Sequence, residues 1–335
     1  AFDGNNGQIL GIGFIESVRF SDGTVWNSDI LSNAPSIING TPLDDNLTGT
    51  FLDDIIDGGA GTDYLEGGAG NDTYIFGRGY GDDVINDNDH YSESPADEIL
   101  LLPGITTGDV ELTRNEYDLF LTIKDTGERL TVQSAFDGQI VESIRFDDGT
   151  VWGSDVWSAA RSVVNGTPGD DSLVGTSIDD IIDGGAGTDY LEGGAGNDTY
   201  IFGRGYGDDV INDNDHYSES PADEILLLPG ITTGDVELTR NEYDLFLTIK
   251  DTGERLTVQS AFDGQIVESI RFDDGTVWGS DVWSAARSVV NGTPGDDSLV
   301  GTNIDDIIDG GAGDDYLEGR DGNDTYIFGR GYGND

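Results

Sequence analysis

A nine-residue pattern constrains this chain more than any other feature. Counted from Gly40 in steps of nine, blocks begin at Gly40, Gly49, Gly58 and Gly67. The sixth residue of each is an aspartate: Asp45, Asp54, Asp63 and Asp72. The eighth is large and apolar: Leu47, Ile56, Leu65 and Tyr74. The blocks at Gly58 and Gly67 read G-G-x-G-x-D-x-U-x at every fixed position, U being apolar. A unit this short cannot bury its apolar residue alone. It must stack on its neighbours, so the pattern asks for a coil whose turns share one core.

The spacing also implies a ligand. The U residue belongs on a short strand pointing inward, and the six residues before it turn a tight corner where glycine tolerates positive φ. Two nonapeptides make one turn, so each loop lies below the loop two blocks on. Stacked strands are about 4.8 Å apart. Calcium bonds oxygen at about 2.3–2.6 Å. Twice that radius fits the gap, so one ion can take ligands from two stacked loops. Asp45 and Asp63 would share a row on one edge, and Asp54 and Asp72 a row on the other.

The chain repeats on a larger scale as well. Gly40 recurs as Gly166, a shift of 126 residues, and segment 40–165 recurs as 166–291 with differences only at 43, 46, 48, 51 and 52. A third copy starts at Gly292. Both ends fall inside repeats and methionine is absent, so a piece of a longer tandem protein is expected. The expected division is a partial β cassette and linker at 1–39, then roll 40–102 and antiparallel cassette 103–165. Roll 166–228, cassette 229–291 and a truncated roll 292–335 follow. The fold class is all-β: tandem parallel β-rolls, calcium-stabilised with two nonapeptides per turn, alternating with small antiparallel β units.

In the second copy, residues 236–240, 245–250, 256–259, 269–272 and 276–278 read as strands, with turns at 251–254 and Asp274-Gly275. The tail 280–287 reads as a short helix capped by Ser280 or Asp281. In the first unit the equivalent tail holds Pro35, which disfavours helix there.

Charge excludes several classes. The formal net charge is −52, which repels nucleic acid and opposes any compact state lacking counter-ions. Without calcium, disorder is expected in the glycine-rich halves. Cysteine is absent and the two histidines, His90 and His216, are equivalent positions in two copies. Disulfides, thiolate metal sites and a histidine zinc site are thereby disfavoured. An oxygen-only inventory favours a hard cation, calcium over magnesium. No apolar run is long enough to span a membrane. No G-x-x-x-x-G-K-[ST] phosphate loop occurs. His90 reads as a solvated loop residue, and Trp152 and Trp278 as packing at strand ends.

The quoted nonapeptides closely resemble the repeats-in-toxin, or haemolysin-type calcium-binding, family. The run 235–278 resembles the haemolysin-type calcium-binding related domain that accompanies such repeats. The resemblance implies calcium ligands at the carbonyls of repeat positions two and four and at the position-six carboxylate. In the first roll these are Asp45, Asp54, Gly59, Gly61, Asp63, Gly68, Gly70 and Asp72. A fifth block, after two extra residues, adds Gly79, Gly81 and Asp83. The second roll offers Asp171, Asp180, Gly185, Gly187, Asp189, Gly194, Gly196, Asp198, Gly205, Gly207 and Asp209. The third offers Asp297, Asp306, Gly311, Gly313, Asp315, Gly322 and Asp324. Several calcium ions per roll are implied, as are secretion by a bacterial type I system and folding outside the cell.

Some positions depart from the family pattern. Leu43, Leu52, Ile178 and Ile304 stand at position four, where glycine is usual, and Arg320 at position two. Any such loop that needs positive φ would be strained. The acidic run 87–93 is out of register and fails as an EF-hand, because Ser92 replaces the turn glycine. It reads as a loop, with an extra ion as the alternative.

Adjacent acids such as Asp44-Asp45 recur in every unit, which argues against a catalytic pair. No enzyme activity is therefore expected. The leading expectation is a calcium-stabilised extracellular structural array: an adhesin stalk, surface-layer element or filament, whose partners are calcium and copies of itself. The rival is an accessory calcium-binding and secretion segment of a larger secreted enzyme or toxin.

Overall fold

The computed structural model describes residues 17–27, 34–87, 96–137, 141–213, 222–262 and 267–335. His90, His216, most of the acidic run 87–93 and the first-unit tail at 28–33 lie outside the described residues. The chain divides into two compact units, residues 1–112 with 117–160, and residues 113–116 with 161–335.

Within the first unit, alternate strands build two sheets. Ser36–Asn39, Asp54–Asp57, Thr73–Phe76 and Glu98–Leu101 run side by side in one; Asn46–Thr48, Tyr64–Glu66 and Asp83–Ile85 do so in the other. All these pairings are parallel, with Ile38 beside Ile56 and Leu47 beside Leu65. The coil therefore closes once per two nonapeptides, as the spacing requires. Because strand side chains alternate, every second residue points inward. Ile56, Leu65, Tyr74, Ile85 and Ile99 are the resulting core, each at most 1% exposed.

The cassette strands pair antiparallel among themselves, as expected, and they also extend the roll's sheets. The hairpin strands Val110–Arg114, Leu119–Ile123 and Arg129–Val132 extend the second sheet, and Ser143–Arg145 and Val151–Trp152 extend the first. The joints to the roll are parallel: Leu130 pairs with Asp83 and Ile144 with Ile99. Only the outer pairings are antiparallel. The cause is the apolar face of the last roll strands, which the cassette strands cover. One cluster therefore runs from Ile56 through Ile99 to Leu121, Ile144 and Phe146.

The second unit repeats this arrangement, with Leu256 beside Asp209 and Ile270 beside Ile225. There the cassette also meets the next roll. Thr239 bridges Arg287 in parallel, the Arg240 N–H donates to the Arg287 carbonyl (3.1 Å), and Asn303 donates to Glu242 through its side chain (2.6 Å) and backbone (3.0 Å). The expected helix forms at Ser280–Trp283, but its N-cap is Gly279 and no side chain caps it. Trp152 and Trp278 pack edge-on against Phe146 and Phe272, with ring centroids 4.7 Å apart.

Candidate metal centre

Stacking at 18-residue spacing, which widens to 20 and 25 residues at the end of the roll, lines the aspartates into rows. The N–H of Asp45 donates to Asp63 Oδ1 (2.8 Å), and that of Asp63 to Asp83 Oδ1 (2.9 Å). On the other edge Asp54 N–H donates to Asp72 Oδ1 (2.7 Å) and Asp72 N–H to Asp97 Oδ1 (2.7 Å). The second unit reproduces both rows: Asp171, Asp189 and Asp209, and Asp180, Asp198 and Asp223. In the third roll Asp297 joins Asp315, and Asp306 joins Asp324.

Each row hydrogen bond uses one carboxylate oxygen. Oδ1 of Asp54 and of Asp180 is itself buried without a hydrogen bond, and Oδ2 divides the blocks into two kinds. In the G-T blocks the position-two threonine donates to it: Thr41 to Asp45, Thr50 to Asp54, Thr167 to Asp171 and Thr176 to Asp180. Thr293 does the same for Asp297, while Thr302 Oγ1 bonds the opposite oxygen of Asp306. In the G-G blocks glycine replaces threonine. Oδ2 of Asp63, Asp72, Asp189, Asp198 and Asp315 is then buried without a hydrogen bond, as is Oδ2 of Asp83 and Asp209. A buried, unsatisfied carboxylate is costly, and a hard cation bound there relieves the cost. The donor set, oxygen only and negatively charged, fits calcium.

Most of the loop glycines are required by the same stacking. Gly81 has φ +91°, and a Cβ there would lie 2.0 Å from the Gly61 carbonyl oxygen of the loop beneath. Gly59, Gly61, Gly68, Gly70, Gly79, Gly185, Gly187, Gly194, Gly196, Gly205, Gly207, Gly311, Gly313 and Gly322 share its positive φ. Leu43, Leu52, Ile178 and Ile304 are not among the positive-φ residues, so the strain expected at those blocks does not arise. Arg320 does adopt φ +68°.

Burial, joined by neighbouring aspartates, raises the carboxyl of Asp72 to about 7 and that of Asp198 to about 7, although each accepts a backbone N–H that lowers it. Asp83 and Asp209 are likewise raised to about 7. Asp63, Asp97, Asp189 and Asp223 shift upward for the same first cause. Among the described residues, the ion pairs of Arg78, Arg145, Arg204 and Arg271 fall on outer carboxylates such as Asp125, Glu98, Asp251 and Glu224, not on the rows.

Sequence reading missed Asp97, Asp223 and the glutamate that follows them. Asp97 N–H donates to Glu142 Oε2 (2.7 Å), and Asp223 N–H to Glu268 Oε2 (2.7 Å). A signal existed: Asp97-Glu98-Ile99 keeps the D-x-U ending of a nonapeptide, and Glu142-Ser143-Ile144 keeps it with glutamate. The other row has no such successor, because Leu130 stands beside Asp83.

Comparison with known proteins gives two family matches. Residues 39–74, 165–200 and 291–335 match the RTX calcium-binding nonapeptide repeat. Residues 118–156 and 244–282 match the haemolysin-type calcium binding protein related domain. Over 106 residues the chain is 36% identical to the iron-regulated protein FrpA of Neisseria meningitidis serogroup C, covering 30% of this chain and 9% of that protein. The chain thus spans about a tenth of that relative's length. Among solved structures it is similar to the extracellular lipase LipA from Serratia marcescens, at 17% identity and TM-score 0.24, covering 68% of this chain and 38% of that one.

Proposed function

We propose that this chain, a calcium-binding protein of the repeats-in-toxin family, is an extracellular structural array that folds and stiffens when it meets calcium outside the cell. The observation that carries this reading is the pair of aspartate rows with a buried carboxylate oxygen lacking a hydrogen bond in every G-G block. When bound, calcium supplies the positive charge these oxygens lack. The chain's own residues do the rest. Asp45, Asp63 and Asp83 hold one edge in register, Asp54, Asp72 and Asp97 the other, and the apolar U residues close the coil between them. At a free concentration about 100 times its dissociation constant, each ion adds about 2.7 kcal/mol. Several such sites convert a disordered chain into a folded one. The role is structural rather than catalytic. Near-identical copies add length and ion count, and further copies of the same chain are the proposed partners.

The deciding experiment is far-UV circular dichroism with sedimentation, in chelator and then in millimolar calcium. A gain of β signal with compaction is expected, and high-mass species in calcium alone would support a filament. Identical signals in both conditions would sink the reading. A second reading, an accessory segment of a larger secreted protein, is supported by the small share of FrpA that the chain spans. The full-length gene separates the two: many more units support the array, a catalytic domain the accessory segment.

A further inference from the structure

One kind of carboxylate cluster joins a nonapeptide aspartate to two aspartates beyond the repeat. Asp72, Asp87 and Asp97 each place a carboxylate oxygen so that all three lie within 4.8 Å of one another, and Asp198, Asp213 and Asp223 do the same in the second unit. All six residues are buried. Only Asp72 and Asp198 belong to a nonapeptide; the other four lie beyond the repeat register.

The cluster is held open by its surroundings rather than collapsed on itself. Asp97 Oδ1 accepts the Asp72 N–H. Asp87 Oδ1 accepts the Gly68 N–H (3.0 Å), and its Oδ2 accepts the Tyr74 hydroxyl (2.7 Å). That hydroxyl in turn accepts the Gly67 N–H (2.8 Å). With these contacts made, Oδ2 of Asp72 and Oδ2 of Asp97 remain buried without a hydrogen bond, as do Oδ2 of Asp198 and of Asp223. Among the described residues, neither Asp72 nor Asp97 forms an ion pair. Three carboxylates gathered in a dry site repel one another, and a bound cation is what turns that repulsion into attraction. Oxygen-only donors select a hard ion. Magnesium surrenders its waters reluctantly and seldom takes a cage of protein oxygens, so calcium fits better.

We propose that Asp72, Asp87 and Asp97, and likewise Asp198, Asp213 and Asp223, each hold one calcium ion in a three-carboxylate site at the seam between roll and cassette. The proposal rests on the calcium reading above and deepens it. Three aspartates converge here, against the two that a pair of stacked repeat loops brings at position six, so these are the tightest sites of the chain and the last to empty. Asp97 also reaches the cassette, because its N–H donates to Glu142 and its carbonyl accepts the N–H groups of Glu142 (3.0 Å) and Ser143 (3.2 Å). Filling the site therefore fixes the strand against which the cassette pairs.

Crystals of the full chain grown with calcium test this by anomalous scattering. Peaks inside both clusters are expected. Ions between the nonapeptide loops with none touching Asp87 or Asp213 would overturn this inference alone, and no bound ion anywhere would overturn the calcium reading with it. In solution, a chain carrying both D87N and D213N keeps the acceptor for Gly68 and Gly194 but lowers the charge. Equilibrium dialysis with calcium alone should show two fewer ions per chain and loss of the tightest class. An unchanged count in a folded variant would overturn the assignment. If the variant fails to fold in calcium, the crystallographic result on the unaltered chain decides.

Discussion

At the scale of the residue, a position-two threonine gives the aspartate Oδ2 a donor that glycine does not, although Oδ1 of Asp54 and of Asp180 stays buried without a hydrogen bond. Thr50 donates to Asp54, whereas Gly68 leaves Asp72 Oδ2 unpartnered. The raised carboxyls give this a pH signature. Asp72, Asp83, Asp198 and Asp209 sit near 7 when folded against about 4 when unfolded. A raised acid favours the folded state below its unfolded pKa and withdraws that stability as pH rises through the folded one. In chelator, compaction followed by circular dichroism should therefore increase from pH 8 towards pH 4. In calcium the trend reverses, since protons compete with the ion. A calcium-free chain most compact at pH 8 would contradict the burial of these groups. Two neighbouring glycines supply a second test. Gly79 and Gly205 have positive φ but open space, while a Cβ at Gly81 or Gly207 meets a carbonyl oxygen at 2.0 Å. Alanine at the first pair should cost about 1–2 kcal/mol each in strain. At the second pair it should cost clearly more, read from melting in calcium.

At the scale of the element, the cassette is an extension of the roll's two sheets and not a separate body. The strands Arg129–Val132 and Ser143–Arg145 pair in parallel with roll strands and share their core. All the tryptophans lie in cassette segments and none in the nonapeptides, so their fluorescence reports the cassette alone. Calcium titrations followed by tryptophan emission and by far-UV circular dichroism should coincide. Emission that changes at a separate calcium concentration would mean that the cassette folds by itself. This continuity also marks where reading the sequence stopped. The rolls were legible because the D-x-U register repeats every nine residues and forces the row partners, Asp45 with Asp63 and Asp54 with Asp72. Strand positions in the cassette were legible from alternation too, but partners were not, because alternation says which face is buried and not what covers it. Asp97 escaped notice because the residues before it break the count, even though its Asp97-Glu98-Ile99 ending keeps the pattern.

At the scale of the whole molecule, the net charge of −52 sets the difference between screening and binding. Monovalent salt shortens the Debye length to about 10 Å at 0.1 M and relieves general repulsion, but it leaves buried row oxygens without a partner. Sedimentation in chelator should show modest compaction on adding sodium chloride and a much larger, cooperative one on adding calcium. Equal effects at equal ionic strength would mean that the ion acts only as screen. The row hydrogen bonds have a mechanical side as well. Within each unit, the sheet bonds and the Asp N–H to carboxylate links all point along the stacking direction, across the strands. A pull along that direction strains one turn's bonds at a time, so the coil would yield turn by turn like a released spring, with calcium concentration setting the force at which each turn lets go.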